Sequence, residues 1–236
     1  MKPQLLKLLN DNRGRGQFRA EKNGDEATIY LYDVIVSDDY WGGVSAQAFV
    51  KELRAMTAET INIRINCPGG DVFAARAMEQ AIRDHGSKIV AHIDGYAASA
   101  ASFLAIAADE VVMSEGGFYM IHKAWTFAMG NSDDLVETAG LLEKVDESLV
   151  ASYAKKTGKE LEDIREWMKA ETWFTAQEAV DNGFVDRIAE GKVKGQWNLS
   201  AYGKPPQVEP EQEHVPEPEP NIAAMQRRLN IIERAA

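Results

Sequence analysis

A chain of 236 residues, 45% of them hydrophobic, can bury one good core and carry an appended tail. A formal net charge of -11 argues against a nucleic-acid binder, which would show a basic face, and no stretch is long and apolar enough to span a membrane. The single cysteine, Cys67, excludes an intrachain disulfide framework and fits a reducing compartment.

The opening MKPQLLKLLNDNRGRGQF has too short an apolar run for a secretory signal and no small-residue cleavage site, so a soluble cytoplasmic protein is expected. QFRAEKNGDEATIYLYDVIV predicts two strands around an Asn23-Gly24 turn, because Asn-Gly tolerates the positive φ of hairpin turns. SAQAFVKELRAM has helical spacing, with Phe49, Leu53 and Met56 on one side. In TINIRINC the alternation of Ile61, Ile63 and Ile65 predicts a strand, which Pro68-Gly69-Gly70 breaks before a helix from about Val72 to Asp84.

The unit repeats: SKIVAHIDG reads as a strand, SAASFLAIAA as a helix, and DEVVMS and FYMIH as two further strands. A long helix follows from about Asp133 to Lys156, with Leu135, Leu142, Val145 and Leu149 in one stripe. Lys155 and Lys156 suit its dipole and Gly158 its C-terminal cap. Thr175 to Glu178, TAQE, is a capping-box pattern for a short helix closed by Gly183. Strands alternating with helices imply an α/β fold.

Past about Lys204 the chain becomes KPPQVEPEQEHVPEPEP, an extended and self-repelling linker. NIAAMQRRLNIIERAA then places Ile222, Met225, Leu229 and Ile232 at helical spacing, and is expected to be a tethered docking peptide, being short for an isolated helix. The organisation expected is an N-terminal segment 1–16, a domain 17–203, an acidic linker 204–220 and an amphipathic segment 221–236.

Ser99 is the first candidate for chemistry. It lies where the strand before Gly95 gives way to a helix whose free N–H groups favour developing negative charge. Gly95, Ala97, Ala98, Ala100 and Ala101 surround it, which suits either close packing or substrate access. The stretch is not the G-x-S-x-G elbow. Ser102, one turn on, is the rival, although a hydroxyl deeper in a helix tends to bond back to a carbonyl. A serine needs a base and oxyanion donors. His122, ending FYMIH before a loop, is the base candidate, and Lys123 keeps a Ser-Lys arrangement open. His85 reads as a cap residue, His92 as a structural residue within a strand, and His214 lies in the linker. Gly69-Gly70 lets backbone approach a ligand with N–H groups free. Cys67 reads as a small buried hydrophobe rather than a nucleophile.

INIRINCPGGDVFAARAM, HIDGYAASAASFLAIAADEVVM, FYMIHKAW and the stretch from Gly130 to Ile188 resemble, in order and spacing, the Clp protease proteolytic subunit family. Within it they resemble the branch of phages and prophages that serves as head maturation proteases. The resemblance covers about Gln17 to Ile188 and implies the repeated ββα spiral shared with the crotonase superfamily. It implies Ser99 as nucleophile, His122 as general base, and the N–H groups of Gly70 and Ala100 as oxyanion donors. The family's third member, an aspartate, corresponds to Glu171. Thr172 beside it and an unanchored Ser-His dyad are the alternatives. Cys67 stands where the family usually has serine.

The resemblance further implies polypeptide substrates, seven-membered rings, single or stacked in pairs through the long helix, and an ATP-driven unfoldase or phage scaffold and capsid proteins as partners. The chain shows no nucleotide-binding loop of its own, and neither metal nor cofactor is expected. Two other classes share parts of this pattern. An acyl-CoA hydratase or isomerase on the same spiral would need carboxylates rather than a Ser-His pair. A structural ring with decayed machinery would be favoured only by Glu171.

Overall fold

The computed structural model describes residues 7–8, 10–12, 16–23, 25–40, 42–189 and 198–206. Strands β1 (Gln17–Asn23) and β2 (Glu26–Tyr32) pair antiparallel from Gln17 opposite Tyr32 to Asn23 opposite Glu26. This is the hairpin the sequence predicts, although Gly24 of its turn lies outside the described residues. Two short strands that periodicity cannot reveal, β3 (Ile35–Val36) and β4 (Val44–Ser45), pair in parallel as a separate small sheet. Helix α1 (Ala46–Arg54) follows, its first turn capped by the Ser45 hydroxyl accepting from the Ala48 N–H, with Phe49 and Leu53 buried.

Strand β5 (Thr60–Cys67) and helix α2 (Val72–Arg83) form as read, the helix capped by Asp71. Strand β6 (Lys88–Ala98) runs three residues beyond the predicted end and stops directly before Ser99. The cause is a change of partner. Residues 90–93 of β6 pair with β7 (Glu110–Ser114), and residues 96–98 pair with β8 (Phe118–Ile121). The register against β5 shifts between Ile65 and Cys67 at the same level. Helix α3 (Ala100–Ala105) between β6 and β7 is shorter than expected.

Helix α4 (Ser132–Thr157) opens on an Asn131–Asp134 capping box and closes on Gly158 at φ 68°. Its stripe divides: Leu149 is buried in the core, whereas Leu135 is 45% exposed. Helix α5 (Leu161–Ala170) and strand β9 (Thr172–Thr175) were not separated by periodicity. The Thr175–Glu178 capping box forms and opens α6 (Ala176–Asp181), and β10 (Arg187–Ala189) ends the sheet.

The main sheet runs β1-β2-β5-β6-β7-β10, with β8 branching from β6 and carrying β9. All its pairs are parallel except β1–β2 and β8–β9. Ile29, Leu31, Ile61, Ile63, Ile65, Ile89 and Ile93 belong to one apolar cluster with Met78, Phe103 and Leu104 from the helices. The result is the α/β fold expected, with parallel strands buried against helices. No described helix is long and apolar enough to cross a membrane. The linker beyond residue 206 and the segment 221–236 lie outside the described residues.

Candidate active site

The divergence of β6 between its two partners delivers Ser99. Its N–H donates to the Met120 carbonyl on β8 at 2.9 Å, and its carbonyl accepts from Ser102 and Phe103 in the first turn of α3. Held from both sides, Ser99 takes φ 55° and ψ -122°, a conformation that favours glycine. Its side chain caps nothing in the helix. Instead Ser99 Oγ lies 2.7 Å from Nε2 of His122, the residue immediately after β8. For Oγ–H to donate, the imidazole proton sits on Nδ1. The alanines around Ser99 are packed: Ala97, Ala98, Ala100 and Ala101 are all buried.

Gly69 and Gly70 close the site from β5. Gly70 has φ 146°, and a Cβ there would meet the Ile35 carbonyl oxygen at 1.9 Å. A Cβ on Gly69 would stand 2.9 Å from the Cβ of Ser99. Only glycine fits between β3 and the serine turn. Hydrogen bonds from the Ile35 N–H to the Gly69 carbonyl and from the Asp71 N–H to the Ile35 carbonyl fasten the loop. Among the described residues the N–H groups of Gly70 and Ala100 donate to no protein acceptor, and both residues line a small pocket with Ser99 and His122. Val72, Ala124, Trp125, Leu149 and Tyr153 form the rest of its wall.

His122 is half-buried at the edge of this pocket, and the loss of solvent around its ring pushes its pKa down to about 4, opposed by the negative charges of Glu171 and then Asp146. The imidazole is therefore neutral and able to accept a proton across the neutral range. Glu171, at the C-terminus of α5 with φ 51°, is within electrostatic reach of His122, but its carboxylate points elsewhere. Its oxygens accept from the N–H groups of Gly203 at 3.0 Å and Lys204 at 2.6 Å, and from the Trp173 indole at 3.4 Å. Among the described residues, no hydrogen bond joins Glu171 to His122. Thr172 is turned away too, donating to the Trp167 carbonyl.

The rival candidates fall into structural roles. Ser102 Oγ donates to the Ser99 carbonyl at 2.6 Å and lies 2.9 Å from the Tyr153 hydroxyl. Lys123 turns to Asp146 at 3.3 Å rather than to Ser99. His85 accepts from the Ser87 N–H, and His92 pairs with Asn62 at 2.9 Å. Cys67 is buried, and desolvation pushes its thiol up to about 12, so no thiolate forms near neutrality.

Sequence reasoning missed two residues. Asp146 is a buried carboxylate on α4 that accepts from the Ala124 N–H at 2.7 Å and fixes the chain just after His122. Its only signal was position: it sits on the helical face of Leu142 and Leu149. Tyr202 packs edge-to-face on His122, with ring centroids 5.5 Å apart, and nothing in its own stretch announced that.

The profile of the Clp protease family matches residues 22–192. The "ATP-dependent Clp protease proteolytic subunit" of Porphyromonas gingivalis is 28% identical over 159 residues, covering 66% of this chain and 72% of that protein. The protein of the same name from Streptococcus agalactiae is 28% identical over 182 residues, covering 73% and 92%. That from Bacteroides fragilis is 30% identical over 130 residues, covering 54% and 63%. The family match spans both the serine turn and the histidine that meets it, so the chain belongs to the Clp protease family.

Proposed function

We propose that the protein is a serine endopeptidase in which Ser99 is the nucleophile and His122 the general base. One observation carries this reading: a serine held at φ 55° with its hydroxyl 2.7 Å from a neutral imidazole. In this mechanism Ser99 Oγ attacks the scissile carbonyl carbon while its proton passes to His122 Nε2. The carbonyl oxygen becomes an oxyanion and takes the free N–H groups of Gly70 and Ala100. Collapse breaks the C–N bond, with the amine taking the proton from His122. Water, deprotonated by the same imidazole, then releases the acyl group and restores Ser99. Glu171 and Asp146 supply negative charge that favours the imidazolium formed midway.

Assembly into rings that enclose these sites, fed by an ATP-driven unfoldase or by phage scaffold and capsid proteins, belongs to the same proposal. An apolar surface supports it. Phe127 is 63% exposed, Met129 89% and Leu141 53%, lining a groove between residues 124–129 and α4. Contiguous exposed apolar surface of this kind marks association. For the head maturation role, the segment 205–236 is proposed to tether the protease to the assembling particle. Deleting it should abolish incorporation into proheads, and unchanged incorporation refutes the tether. The peptidase reading is tested by hydrolysis of an unfolded protein: Ser99→Ala and His122→Ala should each lose on the order of 10⁶ in turnover. Full activity in either variant, or specific binding of coenzyme A with no peptidase activity, overturns it.

A further inference from the structure

Tyr202 lies outside the stretch that matches the family, yet it touches the base of the site. Residues 198–204 cross the site as a strap fixed at several points. Asn198 and Asn12 exchange two hydrogen bonds, at 2.6 and 3.0 Å, and Lys7 donates to Ser200 at 2.7 Å. Leu199 packs on Tyr96, with Phe118 and Trp173 beside them. The Glu171 carboxylate receives the N–H groups of Gly203 and Lys204, and the Lys204 ammonium donates to the Ala170 carbonyl. Between these anchors the Tyr202 ring stands edge-on to His122 and to Trp173, and its hydroxyl donates to the carbonyl of Pro68.

We infer that Tyr202 is a positioning residue for the Ser99–His122 pair, its ring fixing and dehydrating the imidazole and its hydroxyl tying that imidazole to the loop that presents the Gly70 N–H. The inference rests on the Ser99–His122 reading above. It also gives Glu171 a role that fits its geometry. The carboxylate orients the base through the strap, by holding Gly203 and Lys204, rather than by a bond to the imidazole. Two other features support the placement. The hydroxyl lies beside Pro68, which immediately precedes the glycine loop, so one side chain spans the base and the oxyanion donors. Burial raises the Tyr202 hydroxyl far above its usual range, with Cys67 and Glu171 adding and Ser99 opposing, so the phenol that reaches Pro68 stays neutral.

The charges around His122 make the role measurable. Glu171 from the end of α5 and Asp146 from α4, the latter paired with Lys123, favour the protonated ring. Ser99 and Tyr202 meet it uncharged, Tyr153 lines the same pocket, and burial outweighs the two carboxylates. Removing the Tyr202 ring lets water reach the imidazole, and its pKa moves from about 4 back towards the ordinary 6.5.

The test is the rate at which a fluorophosphonate modifies Ser99 in the full chain between pH 5 and 8. Oγ bonds to phosphorus, fluoride leaves, and the proton passes to His122. The wild-type rate should be flat across this range. Tyr202→Ala should be slower by on the order of 10²-fold at pH 8, as expected for a misplaced base, and its remaining rate should halve near pH 6 to 6.5. Tyr202→Phe keeps the ring, so its profile should stay flat while the lost tie to Pro68 costs about tenfold. An unchanged rate in Tyr202→Phe, or a slow Tyr202→Ala with a flat profile, overturns the inference, the latter because a merely structural residue would not move the pH midpoint. If the wild type is not labelled at Ser99, or is labelled equally with His122→Ala, the Ser99–His122 reading itself fails. If it is labelled as required and both Tyr202 variants match it, only the role of Tyr202 fails.

Discussion

Acidification should destabilise the fold through His122, and the size of the effect follows from the site. The unfolded chain binds a proton on this imidazole near pH 6.5, whereas the folded chain does so only near pH 4. Between these values the unfolded state holds more protons, so stability falls as pH falls. The full difference corresponds to about 3 kcal/mol, and about 2 kcal/mol of it is lost by pH 5. These are upper values, because the ring keeps one edge on the pocket. Urea unfolding of the wild type and His122→Asn at pH 7.5 and pH 5 isolates the term. Other carboxylates, and His92, which burial also holds low, titrate in both proteins and cancel. The wild type should lose about 1 M more of its midpoint than the variant, for a urea slope of about 2 kcal/mol per M. Equal losses would show that burial in the fold does not hold His122 neutral.

Ser99→Gly should abolish turnover yet stabilise the fold by about 1 kcal/mol in the same urea assay, because φ 55° is strained for serine and open to glycine. A destabilised Ser99→Gly would mean that the turn is not strained. Gly70→Ala should lower turnover by about 10²–10³ and cost at least about 2 kcal/mol, since its Cβ would press on the Ile35 carbonyl. Wild-type activity in that variant would remove Gly70 from the oxyanion site. Cys67 should resist a thiol reagent such as iodoacetamide in the native protein and react after unfolding; rapid native labelling would contradict its burial.

The parts of the fold legible in sequence are those with a strong period or a strong cap. The isoleucine alternation of β5, the Thr175 capping box and the Gly158 stop all form where the sequence places them, whereas the Asn131 cap of α4 emerges only in the fold. The short pair β3–β4 has too few residues to show a period, and α5 followed closely by β9 blurs two periods into one stretch. Strand β6 was cut short at Gly95 because glycine and alanine carry no strand signal, although the later residues pair with β8. In the site, Ser99, His122 and the glycine loop could be named because their residue types are tied to a chemistry. Where the Glu171 carboxylate points could not be read, since it depends on residues 203 and 204, more than 30 positions away. Tyr202 was invisible for the same reason: only the fold brings its ring against His122.

The most direct test of the central claim maps the fluorophosphonate adduct on the assembled protein by mass spectrometry, beside His122→Ala. One adduct is expected, on Ser99, and it should disappear when the imidazole is removed. An adduct on Ser102, or one on Ser99 that forms as fast without His122, would contradict that claim.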